Sequence, residues 1–153
     1  MIKKLVKLIL IVLWMGLIFS FSQEDGTKST SKSDKVILKI YKSFNKEKLT
    51  EKEQKEIIDK FVFPIRKAAH FSEYLILGIL IISFISEFKA LEIKYLILAI
   101  FISMLYAISD EIHQLFVSGR SARVFDVVID TLGATTGIFI YNFIKNKIRI
   151  ITE

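Results

Sequence analysis

No cysteine occurs in this chain, which excludes disulfides, thiolate nucleophiles and Cys-ligated zinc. The compartment therefore cannot be read from redox chemistry. Proline occurs once, at Pro64, and histidine twice, at His70 and His113. No HExxH or comparably tight metal signature is present, and no internal repeat is evident. The net charge of +6 would raise nucleic acid as a partner for a soluble protein. With no recognition motif and no aromatic–basic platform, no nucleic-acid partner is expected. The lysines instead flank hydrophobic runs, where they meet anionic lipid headgroups.

The chain is rich in apolar residues. They make up 52% of its 153 residues, with Phe, Ile and Leu prominent. That length fits one domain, residues 1–153, and that much apolar surface places it in the integral-membrane class. The first apolar run, Leu5 to Phe21, follows Lys3 and Lys4 and can cross a bilayer with modest thinning. A secretory signal peptide is the rival reading, since the charged start fits and Ser20-Phe21-Ser22 is a weak cleavage site. The run is long for a signal and lacks the usual alanines, so a retained helix is expected.

Residues 22–63 form a polar insert. It opens with SQEDGTKSTSKSDK, poor in apolar residues and expected to be mobile. Val36, Ile37, Ile40, Tyr41 and Phe44 then fall at helical spacing. Thr50 and Glu53 form a capping-box candidate, opening a helix with Ile57, Ile58, Phe61 and Val62 on one face. Both amphipathic segments suit either the membrane surface or a solvated spacer packed on a bundle. Pro64 fits the first turn of a new helix. Further spans are expected at about 66–86, 95–114 and 124–143. The expectation is an all-α, four-span transmembrane helical bundle with one or two amphipathic helices between spans one and two. Gly133 and Gly137, four residues apart with Ala134 between, permit close helix approach.

Short basic flanks set the expected orientation. Lys3, Lys4 and Lys7 place the N-terminus in the cytoplasm, and Lys145, Lys147 and Arg149 place the C-terminus there too. Four spans satisfy both. The insert is then extracytoplasmic despite its lysines; it also carries many carboxylates, and longer translocated segments obey the rule less strictly.

Three charged clusters interrupt the apolar runs: RKAAHFSEY (Arg66 to Tyr74), SDEIHQLFVSGRSAR (Ser109 to Arg123) and DVVID (Asp126 to Asp130). A charge near lipid costs about 2.5–3.5 kcal/mol on insertion scales, so such groups face a partner helix or a cavity. Arg66, His70 and Glu73 share one helix face, with Lys67 and Tyr74 beside it. Asp110, His113 and Gln114 share another, next to Glu111, and Arg123, Asp126 and Asp130 form a third stripe. In the proposed topology the clusters meet at the outer ends of spans two, three and four. Asp126 and Asp130 repel unless a cation pairs with them or one is protonated.

Four chemistries suit this set. One is an internal ion-pair network, the plainest reading of nearly balanced charges. Another is a divalent metal on His70, Glu73, Asp110 and His113, whose helical spacing is common by chance. A third is an anionic headgroup held by Arg66, Lys67, Arg120 and Arg123, with Glu111 or His113 as general acid or base. The fourth is a proton or ion path. Spacing alone does not choose among them, and metal and cofactor are left unassigned.

The ordered motifs FSFSQ (Phe19 to Gln23), RKAAHFSEYLILG (Arg66 to Gly78) and SDEIHQLFVSGRSARVFDVVIDTLGATTG (Ser109 to Gly137) resemble the VanZ-like family of small bacterial polytopic membrane proteins. The resemblance covers most of the chain, though the insert adds nothing to it. The family's name-giving member is associated with teicoplanin resistance. The resemblance thus implies a multi-pass protein of the bacterial cell membrane that lowers glycopeptide susceptibility by binding or modifying an envelope component. Alternatives are a membrane-embedded hydrolase or transferase acting on a lipid-linked phosphate, and a non-catalytic partner of cell-wall synthesis enzymes. The implied partners are membrane lipids, a lipid-linked cell-wall precursor or a glycopeptide. Candidate catalytic residues are His70, Glu73, Glu111, His113 and Asp126. Candidate substrate-binding residues are Arg66, Lys67, Tyr74, Gln114, Arg120 and Arg123. The family pattern often has asparagine at the position of Asp130, so this chain carries an extra charge there.

Overall fold

The structure is a computed structural model that describes residues 1–45 and 49–152. Those residues form five helices: α1 (Ile2–Ser22), α2 (Gly26–Phe44), α3 (Glu51–Ile85), α4 (Ile93–Gln114) and α5 (Val124–Thr152). All but α2 are long and apolar enough to cross a membrane, giving four spans. Their outward faces carry Leu13, Phe101, Leu105, Leu132 and Phe139, all exposed. An exposed apolar surface of this kind is what hydrocarbon solvates. The inward faces meet in a narrow core that includes Ile18, Tyr74, Leu77, Ile82, Ala99 and Ile138.

Helix α3 begins as the sequence predicts. The side chain of Glu53 accepts from the Thr50 amide at 2.8 Å, and Thr50 Oγ1 accepts from the Glu53 amide at 3.4 Å, completing the capping box. The Thr50 amide, and then the Thr50 hydroxyl, donate to the Glu53 carboxylate and hold it below its usual range. The helix does not stop at Pro64, however. It runs unbroken for 35 residues, so Pro64 lies inside it rather than opening a new helix. Proline removes one donor, costing the bond to the Lys60 carbonyl, but membrane helices tolerate such a loss. At 1.5 Å per residue α3 is about 50 Å long, against about 30 Å of hydrocarbon, so its first turns stand clear of the apolar slab.

Helix α2 lies along those projecting turns, where Thr30 and Asp34 face Gln54, Ile58 and Val62. Ile37 is the buried residue of its apolar stripe, while Val36 and Ile40 stay exposed. The stretch Gly26–Lys35, expected to be mobile, is helical. Composition understated it because its anchor is tertiary. The Gly26 amide donates to the Ser118 carbonyl at 3.1 Å. A Cβ on Gly26 would lie 2.0 Å from the Gly119 carbonyl oxygen, and Gly119 itself has φ of +71°. Glycine alone fits both positions easily. At the other end, α5 carries the basic tail onward as helix to Thr152.

The closest helix contact is between α3 and α5. A Cβ on Gly133 would lie 2.3 Å from the Phe71 carbonyl oxygen, one on Gly137 2.1 Å from that of Leu75, and one on Gly78 2.3 Å from that of Ala134. The two backbones touch, as small residues allow. Lys67 meets Asp126 and Leu75 meets Gly137, so the two helices run parallel and start at the same end. The opposite end is tied by lysines: Lys7 Nζ donates to the Ser83 carbonyl at 3.0 Å and pairs with Glu87 at 2.5 Å. The bond to Lys7 holds the Glu87 carboxyl below its usual range.

Gly137→Ala is expected to lower the melting temperature of the detergent-purified protein, matching the about 1–3 kcal/mol that overpacking a closed contact costs. Gly16→Ala, with nothing within 4 Å of the added Cβ, should leave it unchanged. Equal melting curves for the two variants would contradict the backbone contact.

Candidate functional site

The parallel seam sets the polar stripes of α3 and α5 against each other. At the upper level Lys67 Nζ bonds and pairs with Asp126 Oδ1. One turn deeper, His70 Nδ1 lies 3.4 Å from Asp130 Oδ1. The two groups are not in hydrogen-bonding geometry, and both oxygens of Asp130 are buried without a partner among the described residues. Asp130 is only 1% exposed. Asp126 also sits in the first turn of α5, where the helix dipole favours a carboxylate. The repulsion expected between Asp126 and Asp130 is thus met by one basic neighbour each.

Helix α4 closes the next side. Asp110 Oδ2 accepts from Ser22 Oγ at 2.7 Å and from Gln114 Nε2 at 3.2 Å, tying α4 to the end of α1. Glu111 accepts from the backbone amide of Arg123, so it holds the α4–α5 loop. Arg120 ties that loop to α1. Its Nε donates to the Glu24 carbonyl at 3.0 Å, its Nη2 to the Phe21 carbonyl at 2.8 Å, and its Nη1 to Gln114 Oε1 at 3.4 Å. A basic side chain on the last carbonyls of a helix also complements its dipole. Burial first, then the charge of Arg66, pushes the Arg120 guanidinium below its usual range.

Two cavities open at this end, one of about 370 Å³ between α1, α2 and α3 and one of about 200 Å³ between α3, α5 and the α4–α5 loop. Arg66, His70 and Arg120 line both. Glu73 lines the larger, and Lys67, Gln114, Arg123 and Asp126 line the smaller. The structure therefore gathers most of the sequence candidates around one chamber. Glu111 lies at its edge as a loop clasp. Tyr74 lies beneath it, fully buried, its hydroxyl without a partner among the described residues.

His113 stands apart. Its ring stacks on Phe19 with centroids 4.3 Å apart, and it lines neither cavity. Helical spacing put it on the face of Asp110, but Asp110 reaches Ser22 while the imidazole lies against the Phe19 ring. Among the described residues, no group of three or more His, Asp or Glu side chains is placed to hold a metal ion.

Sequence reasoning missed the contributions of α1 and α2. Ser22, Glu24 and Lys32 line the larger cavity, and Lys32 pairs with Glu24. Ser22 falls within FSFSQ, but a serine at a helix end gives no sign of a partner on α4. Trp14 Nε1 also donates to the Glu73 carbonyl at 2.9 Å, fixing α1 against the middle of α3.

A family model described as VanZ/LLP1 matches residues 7–145. No curated protein and no solved structure matches the chain.

Two hydroxyls in this region should behave oppositely. Ser22→Ala removes the donor to a buried carboxylate and is expected to cost about 1.5–3 kcal/mol. Tyr74→Phe removes a buried, unpartnered hydroxyl and should leave the melting temperature unchanged or raise it. If Tyr74→Phe destabilises as much as Ser22→Ala, the arrangement described is wrong.

Proposed function

The chain belongs to the VanZ/LLP1 family, and from that premise we propose that it acts in the bacterial cell membrane, where its polar chamber binds or modifies an envelope component and so lowers susceptibility to glycopeptides such as teicoplanin. The observation that carries this reading is the convergence of Arg66, His70 and Arg120 from distant segments onto two adjoining cavities at one end of the bundle. Groups that are costly beside lipid are retained there next to open space.

The proposed orientation supports the reading. Lys7 lies at the end opposite the chamber, with Lys3, Lys4, Lys89, Lys94, Lys145 and Lys147 on the flanks at that end. The positive-inside rule puts that end in the cytoplasm, with both termini, and the chamber outside. Glycopeptides act on the outer surface, where the chamber then opens.

A second reading is favoured by the contact of His70 with Asp130. A histidine beside a buried carboxylate, with two arginines above it, suits acid–base attack on a lipid-linked phosphate. His70, Glu73 and Asp126 are the acid–base groups that this reading uses, and Arg66 and Arg120 its anion holders.

Expression in a glycopeptide-sensitive bacterium tests the proposal. The native chain should raise the teicoplanin concentration needed to stop growth. His70→Ala and Glu73→Gln should lose that rise at equal membrane abundance. No rise with the native chain removes the antibiotic role, and full activity in both variants removes the chamber from it.

A further inference from the structure

The cations at the chamber end are not equivalent. Lys67 is taken by Asp126 and Lys32 by Glu24. Arg123 is exposed, with Nε 3.4 Å from Ser121 Oγ. Arg120 commits one N–H of each nitrogen to two carbonyls and an amide, which fix it in place and leave two N–H donors. Arg66 is half-buried yet has no hydrogen bond or ion pair among the described residues. Its five N–H donors are unused within the bundle and open to whatever occupies the cavities.

Its position says what kind of ligand. Arg66 lines both cavities, as Arg120 does, and its charge is close enough to act on the Arg120 guanidinium. Two cations that face shared open space, with no carboxylate paired to either among the described residues, repel each other, and an anion between them relieves that repulsion. The planar forks of two arginines match the oxygens of a phosphate. The carboxylate that shares Arg66's face, Glu73, lies about 10 Å further along α3, so a phosphate at the mouth sits well above it. His70, one turn below Arg66, supplies a further polar group.

The larger cavity is not polar throughout. Phe21, Val36, Ile65 and Ala69 supply its apolar lining, beside the hydroxyls of Ser22, Ser29 and Ser33. Its volume of about 370 Å³ falls within the range of small-molecule sites, about 300–1,000 Å³. A ligand with phosphate at one end and hydrocarbon at the other satisfies both kinds of lining.

We propose that Arg66 and Arg120 form a phosphate site for an amphiphilic phosphoester, with the apolar wall of α2 and α3 receiving the start of its hydrocarbon chain. This deepens the envelope reading and rests on it only for the claim that the natural ligand is an envelope lipid. Arg66 supplies the open guanidinium and Arg120 the pre-fixed one. The two cavities share them, which leaves room on the second side for a group attached to the phosphate.

Calorimetric titration of the full chain, purified in dodecyl maltoside, tests the site. Two probes separate the sources of phosphate: dodecyl phosphate and inorganic phosphate. Dodecyl phosphate should bind saturably and more tightly than inorganic phosphate. Arg66→Gln should weaken it about tenfold or more. Arg66→Lys should retain part of the binding, because it keeps the charge but loses the fork. Ala69→Leu, which fills the apolar wall, should weaken dodecyl phosphate but not inorganic phosphate. Lys145→Gln, at the opposite end, should bind as the native chain does.

Unchanged binding in Arg66→Gln, or no binding of dodecyl phosphate by the native chain, overturns the site. Equal affinity for the two probes overturns its amphiphilic half. Loss of binding in Arg66→Gln with the teicoplanin phenotype intact supports the site and sinks the envelope reading. A phenotype that needs His70, in a chain that does not bind dodecyl phosphate, does the reverse.

Discussion

Helices α3 and α5 touch backbone to backbone, and the remainder of the molecule is arranged around that contact. Gly78, Gly133 and Gly137 each lack the Cβ that would collide with a facing carbonyl. In hydrocarbon there is little hydrophobic gain from helix association, so close backbone approach and polar bonds must supply it. The parallel register then does a second job. It sets Lys67 against Asp126 and His70 against Asp130, one turn apart on both helices. Each of those charges would cost about 2.5–3.5 kcal/mol if turned to lipid. The seam therefore keeps the polar stripes inward, and the stripes make a shifted register costly.

Helix α4 and the end of α1 complete the enclosure by bonds between side chains distant in sequence. Ser22 reaches Asp110, and Arg120 reaches the carbonyls of Phe21 and Glu24. Those bonds build the walls and still leave two of the five Arg120 N–H donors for the space inside. Arg66 at the mouth makes no bond within the described residues, and below it the Asp130 carboxylate and the Tyr74 hydroxyl are buried without a hydrogen-bond partner among them. An unsatisfied polar group is expensive. Three of the buried groups without such a partner, His70, Tyr74 and Asp130, lie at or just beneath the two cavities, and that is the physical reason to read the site as functional.

Much of this was legible in the sequence. Apolar run length marked the four spans, Thr50 and Glu53 marked the start of α3, and the glycine spacing marked the seam. The three charged clusters do meet. What was not legible depended on tertiary contact. Pro64 reads as a helix start because local rules place it there, yet α3 passes through it. Gly26–Lys35 reads as a mobile stretch because its anchor is Gly119, over ninety residues away. His113 and Asp110 share a face, as the spacing says, and both meet α1, but one turn apart: the carboxylate meets Ser22 and the imidazole meets Phe19, outside the cavities. Helical spacing says which residues share a face and not which neighbour each will meet.

The proposed function requires the chamber to open on the outer side of the membrane. The absence of native cysteine makes this directly measurable, since any cysteine introduced is the only one present. Ser118 lies on the exposed loop at the chamber end, and Ala90 on the exposed link at the other. In intact cells a membrane-impermeant maleimide should label Ser118→Cys and leave Ala90→Cys untouched until the cells are broken. Labelling of Ala90→Cys in intact cells, with Ser118→Cys protected until lysis, would place the chamber in the cytoplasm and contradict the account.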